Sequence, residues 1–165
     1  MMQLISLIIV FFFAQESFEG KVIKVSDGDT INVLTGDNQT IRVRFNGVDA
    51  PEVSHSSGEP SQPYGQKARE FVVNYCAGKM VKVIIRDTDR YGRTIGDVFL
   101  VGESISLNER LVQEGWAWHY KQYSDDPTLA ALEISAKNRK AGLWADPNPV
   151  APWEWRKQLK EANTK

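Results

Sequence analysis

Between Lys21 and Phe45 apolar residues fall mainly at alternate positions, in short runs separated by turn formers, and this is the strongest constraint on the fold. The runs are KVIKV, TINVL and QTIRVRF, divided by Ser26-Asp27-Gly28 and Thr35-Gly36-Asp37-Asn38. A period of two sends successive side chains to opposite faces, and Asp-Gly between two such runs is a hairpin signal, so the segment reads as a three-stranded meander. In its third run Ile41, Val43 and Phe45 form an apolar face, while Arg42 and Arg44 carry guanidinium groups on the other.

The pattern then changes period. Pro63 opens a helix in which Ala68, Phe71, Val72 and Tyr75 recur at helical spacing, with Gly78 as its stop. Two more strands follow, VKVIIR at 81–86 and TIGDVFL at 94–100, joined by the polar loop DTDRYGR. Ser106 with Glu109 fits a capping box for a helix ending at Gly115. Asp126-Pro127 starts another helix, which runs to Gly142. In the tail PNPVAPWEWRKQL, Trp153 and Trp155 are expected to pack back on the domain. Five short strands, a helix after the third and helices at the end predict an α+β fold, a Greek-key β-barrel of oligonucleotide-binding (OB) type with helices on its outside.

The chain has 165 residues. Residues 4–13, LISLIIVFFF, are apolar but too short to span a bilayer, and residues 1–19 are read as a signal peptide cut somewhere in 14–19. The expected location is therefore outside the cell or in a periplasm, with no membrane partner after cleavage and a membrane anchor if the segment is retained. Residues 20–146 form the expected barrel domain and 147–165 a C-terminal extension; a monomer is the default. Cys76 is the only cysteine, so an intramolecular disulfide is excluded and the thiol is read as a small buried hydrophobe. A net charge of −1 argues against a protein that coats nucleic acid by bulk electrostatics, yet leaves room for cations at a single cleft.

The stretch RFNGVDAPE, residues 44–52, carries the chemistry. Asp49 and Glu52 flank a stiff Ala-Pro step, an arrangement poorly suited to a core. Asp27 and Gly28 are explained by their turn, but Asp29 stands where a strand begins, a poor place for aspartate. If the third strand returns antiparallel beside the second, Asp29, Asp49 and Glu52 gather next to Arg44. Three such carboxylates repel unless a cation neutralises them, and a hard divalent ion such as Ca²⁺ suits oxygen ligands. No cluster of His and Cys favours zinc. Asp87 to Gly92 imitates half of an EF-hand loop, but Tyr91 and Val98 stand where calcium ligands belong and strands flank it. That loop offers instead Arg90, Tyr91 and Arg93, and a pair of guanidinium forks, Arg44 with Arg93, can grip one phosphoryl group.

Asp29 within DGDT, Arg44 five before Asp49 in RFNGVDAPE, then PYGQKA, DRYGR, LNERLVQEGWA and KAGLW together resemble the staphylococcal nuclease (thermonuclease) family, in family order from Lys21 to Trp144. The resemblance implies a five-stranded barrel with three α-helices and a calcium-dependent endonuclease, a phosphodiesterase acting on DNA and RNA. It implies Asp29, Asp49 and the carbonyl of Ala50 as Ca²⁺ ligands and Glu52 as general base. Arg44 and Arg93 would stabilise the phosphoryl charge, and the products would carry a 3′-phosphate and a 5′-hydroxyl. Arg90, Tyr91, Tyr120 and Tyr123 are expected to contact substrate. For Tyr120 and Tyr123 base stacking and core packing both remain open, and Trp116 and Trp118 lean to the core. The loop VSHSSGEPSQP, with His55 and Glu59, departs from the lysines of the best-known member, and the tail after Trp144 has no assigned chemistry. The rival is a nucleic-acid-binding OB module without catalysis, which would be expected to lack some of Asp29, Arg44, Asp49, Glu52 and Arg93; this chain keeps all five.

Overall fold

The computed structural model describes residues 15–56 and 58–164. The expected signal peptide falls mostly on residues outside that range. The elements in chain order are β1 (Ser17–Asp27), β2 (Thr30–Thr35), β3 (Thr40–Phe45), β4 (Val48–Asp49), α1 (Gly65–Cys76), β5 (Met80–Thr88) and β6 (Thr94–Leu100). They continue with α2 (Leu107–Gln113), β7 (Trp118–His119), α3 (Pro127–Asn138), a 3₁₀ turn (Gly142–Ala145) and α4 (Pro152–Asn163).

Five strands close into a barrel in the order β1-β2-β3-β6-β5, while β4 and β7 form a separate two-stranded ladder. Every barrel pairing is antiparallel except β3 with β6, which run parallel with Arg44 opposite Ile95. The alternation seen in sequence becomes the barrel interior: Val22, Ile31, Val33, Val43, Phe45, Val81, Val83 and Val98 are all buried. Helix α1 adds Ala68, Val72 and Cys76 to the same cluster, α2 adds Leu111 and Val112, and α3 adds Leu129. The Cys76 thiol is buried, and desolvation pushes its pKa up to about 12, so it is an inert packing group.

Strand β1 begins at Ser17, so the expected domain boundary at residue 20 lies inside it. Its first half pairs with β5, from Ser17 opposite Ile84 to Lys21 opposite Met80, and from Gly20 onward it pairs with β2. Helix α1 starts at Gly65, two residues after Pro63, because Tyr64 adopts a left-handed φ of 69° at its N-cap. The Ser106–Glu109 capping box is formed in full, and Asp126 caps α3 through the amides of Thr128 and Leu129. Helix α3 ends at Asn138 and does not reach Gly142, since Lys140 turns to a φ of 53°. The C-terminal extension is itself largely a helix, α4, so the described residues hold four α-helices where three were expected. Among the described residues no helix is long and apolar enough to cross a membrane.

Candidate active site

Asp29 sits immediately before β2, where the pairing of Thr30 with Arg44 sets it across from the end of β3. Asn46 and Gly47 then reverse the chain; Gly47 has a φ of 71°, which a side-chain-bearing residue adopts only with strain. A Cβ there would also come within 2.8 Å of Leu129. The reversal brings Asp49 back beside the strand that delivers Arg44. The Arg44 guanidinium bridges the two aspartates, Nη1 to Asp29 Oδ2 at 2.9 Å and Nη2 to Asp49 Oδ1 at 2.7 Å. Nη1 also donates to the Val48 carbonyl at 2.9 Å. Asp29 Oδ2 accepts from the Ala50 amide at 2.7 Å, and Asp29 Oδ1 from the Thr30 hydroxyl at 3.1 Å. Asp49 is wholly buried.

Glu52 is fixed through its main chain. Its N–H donates to Gln62 Oε1 at 3.1 Å, and its carbonyl accepts from the Gln62 amide at 2.9 Å. Its side chain meets a residue that sequence reasoning missed. Arg156, on α4, donates from Nη1 to Glu52 Oε1 at 2.5 Å and from Nη2 to Asp49 Oδ2 at 2.8 Å. Nη1 lies 3.3 Å from Asp49 Oδ1 as well. The only hint in the sequence was a cation one position after Trp155 in a tail with no evident partner.

The electrostatics follow from burial and like charge. Desolvation raises the Asp49 pKa above the ordinary carboxylate value against the pull of Arg156 and Arg44, and the charge of Asp29 adds to the rise. Glu52 is raised by desolvation first and by Asp29 and Asp49 as well, while Arg156 acts to lower it. For Arg156, burial works against the charge, but its bonds to Asp49 and Glu52 outweigh that and hold the guanidinium firmly protonated.

The remaining predicted residues lie around this cluster in different ways. Arg93 is tied into its own turn, Nε donating to Asp89 Oδ2 at 2.6 Å, with no hydrogen bond or ion pair to the aspartates. Asp89 also accepts from the amides of Tyr91 and Arg93, so the EF-hand look-alike is a carboxylate-stapled turn. Arg90 and Arg93 both lie over the ring of Tyr91, which is 69 % exposed. Tyr120 is half-buried; desolvation and the charge of Asp49 raise its hydroxyl pKa. Its ring lies parallel to Trp153 of α4, centroids 5.2 Å apart, and edge-on to Tyr123, which is exposed. His55 is largely exposed yet pairs with Asp27 at 2.8 Å. Trp118 packs edge to face against both Trp144 and Trp153, so Trp153 of the tail packs back on the domain.

The donor set of Asp29, Asp49 and Glu52 is oxygen only and carries three negative charges, which suits a hard divalent cation. Among the described residues, however, no three His, Cys, Asp or Glu side chains stand as a ready ligand group. The facing carboxylate oxygens are held by Arg44 and Arg156.

A closed five-stranded barrel whose rim gathers carboxylates and guanidinium groups defines an α+β domain of OB type. The chain belongs to the staphylococcal nuclease homologue family, whose model matches residues 42–146. It is similar to a protein of Haemophilus influenzae described as an uncharacterized endonuclease, 40 % identical over 85 % of this chain and 74 % of that one. It is also similar to a micrococcal nuclease of Shigella flexneri, 39 % identical over 90 % of this chain and 86 % of the relative. Protein ParB of Escherichia coli is 38 % identical over 88 % of this chain and 82 % of its own length. The family segment contains Arg44, Asp49, Glu52 and Arg93, whereas Asp29 precedes it and Arg156 follows it.

Proposed function

We propose that the chain is a calcium-dependent endonuclease that hydrolyses phosphodiester bonds of DNA and RNA with little sequence preference. The observation that carries this reading is the convergence of Asp29 and Asp49 on one guanidinium, Arg44, with Glu52 beside them. Relatives whose names are nucleases, matched over most of both chains, support it.

In this reading Asp29, Asp49 and the Ala50 carbonyl hold the cation, which when bound supplies positive charge to the phosphoryl oxygens. Glu52 takes a proton from water as the water oxygen bonds to phosphorus. The bond to the 5′ oxygen breaks, its electron pair leaves with that oxygen, and a proton from solvent completes the 5′-hydroxyl, the phosphate remaining on the 3′ side. Burial raises the Glu52 pKa above the ordinary glutamate value, which makes its carboxylate a stronger base than an exposed one. Arg44 and Arg93 neutralise charge that builds on the phosphoryl oxygens, a preorganised contribution worth about 10²- to 10³-fold per donor. Arg93 does this after exchanging Asp89 for phosphate. Tyr120 and Tyr123 offer stacking faces for bases, and Arg90 with Tyr91 a contact farther along the strand. The apolar run at 4–13 supports export outside the cell or into a periplasm, with a monomer as the default state.

The test is incubation of purified protein with plasmid DNA and with RNA, in calcium and then in chelator. Degradation in calcium that stops in chelator is expected. Retention of nucleic acid with no cleavage in either condition would replace the enzyme with a binding module.

A further inference from the structure

Two independent contacts bring α4 onto the groups just described. Trp153 lies flat on Tyr120, and Arg156, one turn further along the helix, reaches Asp49 and Glu52. The Arg156 atoms occupy Asp49 Oδ2 and Glu52 Oε1, the oxygens of one proposed cation ligand and of the proposed base. Three carboxylates here face two guanidinium groups, leaving one negative charge. A dication added to both arginines would reverse the sign of the cluster, whereas a dication in place of one arginine leaves it neutral. Like charges so close repel, so exchange is favoured over sharing.

The two arginines differ in which can leave. Arg44 rises from a barrel strand, donates to the Val48 carbonyl besides the aspartates and is only 15 % exposed in its side chain. Arg156 stands on the terminal helix, is 37 % exposed and has carboxylates as its partners. Nothing in the barrel has to move for α4 to lift, because its residues belong to neither the closed sheet nor the main core cluster.

We propose that Arg156 is a built-in counter-cation, and that α4 is a strap which calcium displaces from the site. In the metal-free protein the strap neutralises the cluster and covers the Tyr120 face with Trp153. When calcium takes Asp49, Arg156 leaves, Glu52 is freed to act as base, and Trp153 uncovers the ring on which a base would stack. This rests on the calcium reading above and adds to it that metal binding and exposure of the site are one event.

The test is calorimetric calcium titration of the full chain and of Arg156→Ala, with hydrogen exchange of α4 amides followed with and without saturating calcium. Arg156→Ala is expected to bind calcium at least tenfold more tightly, and calcium is expected to speed exchange in α4 of the unmodified chain. Trp153→Ala keeps the charges but loosens the strap, and is expected to tighten calcium binding about threefold. Circular dichroism of each variant checks that the barrel is intact. Equal or weaker calcium binding by Arg156→Ala, or unchanged α4 exchange at saturation, would overturn the proposal while leaving the calcium reading in place. No calcium binding by any of the three proteins would overturn both.

Discussion

Arg44 and Asp49 meet at 2.7 Å because the Asn46–Gly47 reversal folds the chain back on the strand it has just left. The contact is local in sequence and central in space, and with Arg156 on its other oxygen it encloses the wholly buried Asp49 between two guanidinium groups.

Arg44→Ala leaves Asp49 and Asp29 without that bridge. Removing one partner of a buried pair costs about 3–5 kcal/mol. Denaturant unfolding in chelator is expected to show a loss toward the lower end of that range, since Arg156 still holds Asp49 while Asp29 loses its guanidinium partner. Nucleic-acid cleavage is expected to fall below detection.

Glu52→Gln keeps the size and one acceptor oxygen but cannot take a proton. The fold and oligonucleotide binding are expected to survive, with turnover reduced at least 10²-fold. Single-turnover cleavage at saturating oligonucleotide measures this, and near-normal turnover would remove Glu52 from the base role.

Gly65→Ala reaches the same residue from behind. A Cβ at Gly65 would stand 2.4 Å from the Glu52 carbonyl oxygen and 2.9 Å from its carbonyl carbon, so the main chain of Glu52 has to shift. Misplacement of a reacting group by about 1 Å can cost about 10²-fold. Turnover is expected to drop at least tenfold, with thermal stability lowered by only about 1–3 kcal/mol.

Arg93→Lys separates the phosphate role of Arg93 from its ion pair with Asp89. That pair is partly exposed and contributes under about 1 kcal/mol, so the unfolding midpoint is expected to stay nearly unchanged. Cleavage is expected to fall by about 10²-fold, since an ammonium cannot reproduce the two-point fork.

Glu133 gives the pH dependence. It is buried and, despite desolvation that works the other way, Lys121 and Lys137 at 2.9 and 3.0 Å hold its pKa below the ordinary glutamate value. A carboxylate depressed on folding stabilises the protein above its unfolded pKa, about 4.3, and that contribution fades as pH falls through the lower folded value. Glu133→Gln is therefore expected to be less stable than the parent at pH 7, with the gap closing in thermal melts as pH falls below about 4.3.

Much of this architecture was legible beforehand because it is written in local patterns. The alternation of Ile41, Val43 and Phe45 marked the barrel face, Ser106 with Glu109 marked a helix start, and the turns around Asp29 and Gly47 implied that Asp29 and Asp49 gather beside Arg44. What escaped depends on distant partners. Ser17 to Gly20 carry too few apolar residues to read as strand, and only their pairing with β5 makes them one. The parallel pairing of β3 with β6 leaves no local mark. Arg156 lies 104 positions from Glu52, and an amphipathic terminal helix does not announce where it docks. Arg93 chose Asp89, four residues away, through a turn geometry its neighbours alone did not specify.

The way the sheet closes bears on how the protein can be shortened. Ser17, Phe18 and Glu19 sit opposite Ile84, Val83 and Lys82. A recombinant version beginning at Gly20 would strip that stretch of β5 of its neighbour and expose a row of unsatisfied main-chain donors and acceptors. Such an open edge invites another molecule to add a strand, so over-trimmed preparations would be prone to self-association even with every residue of the candidate site intact.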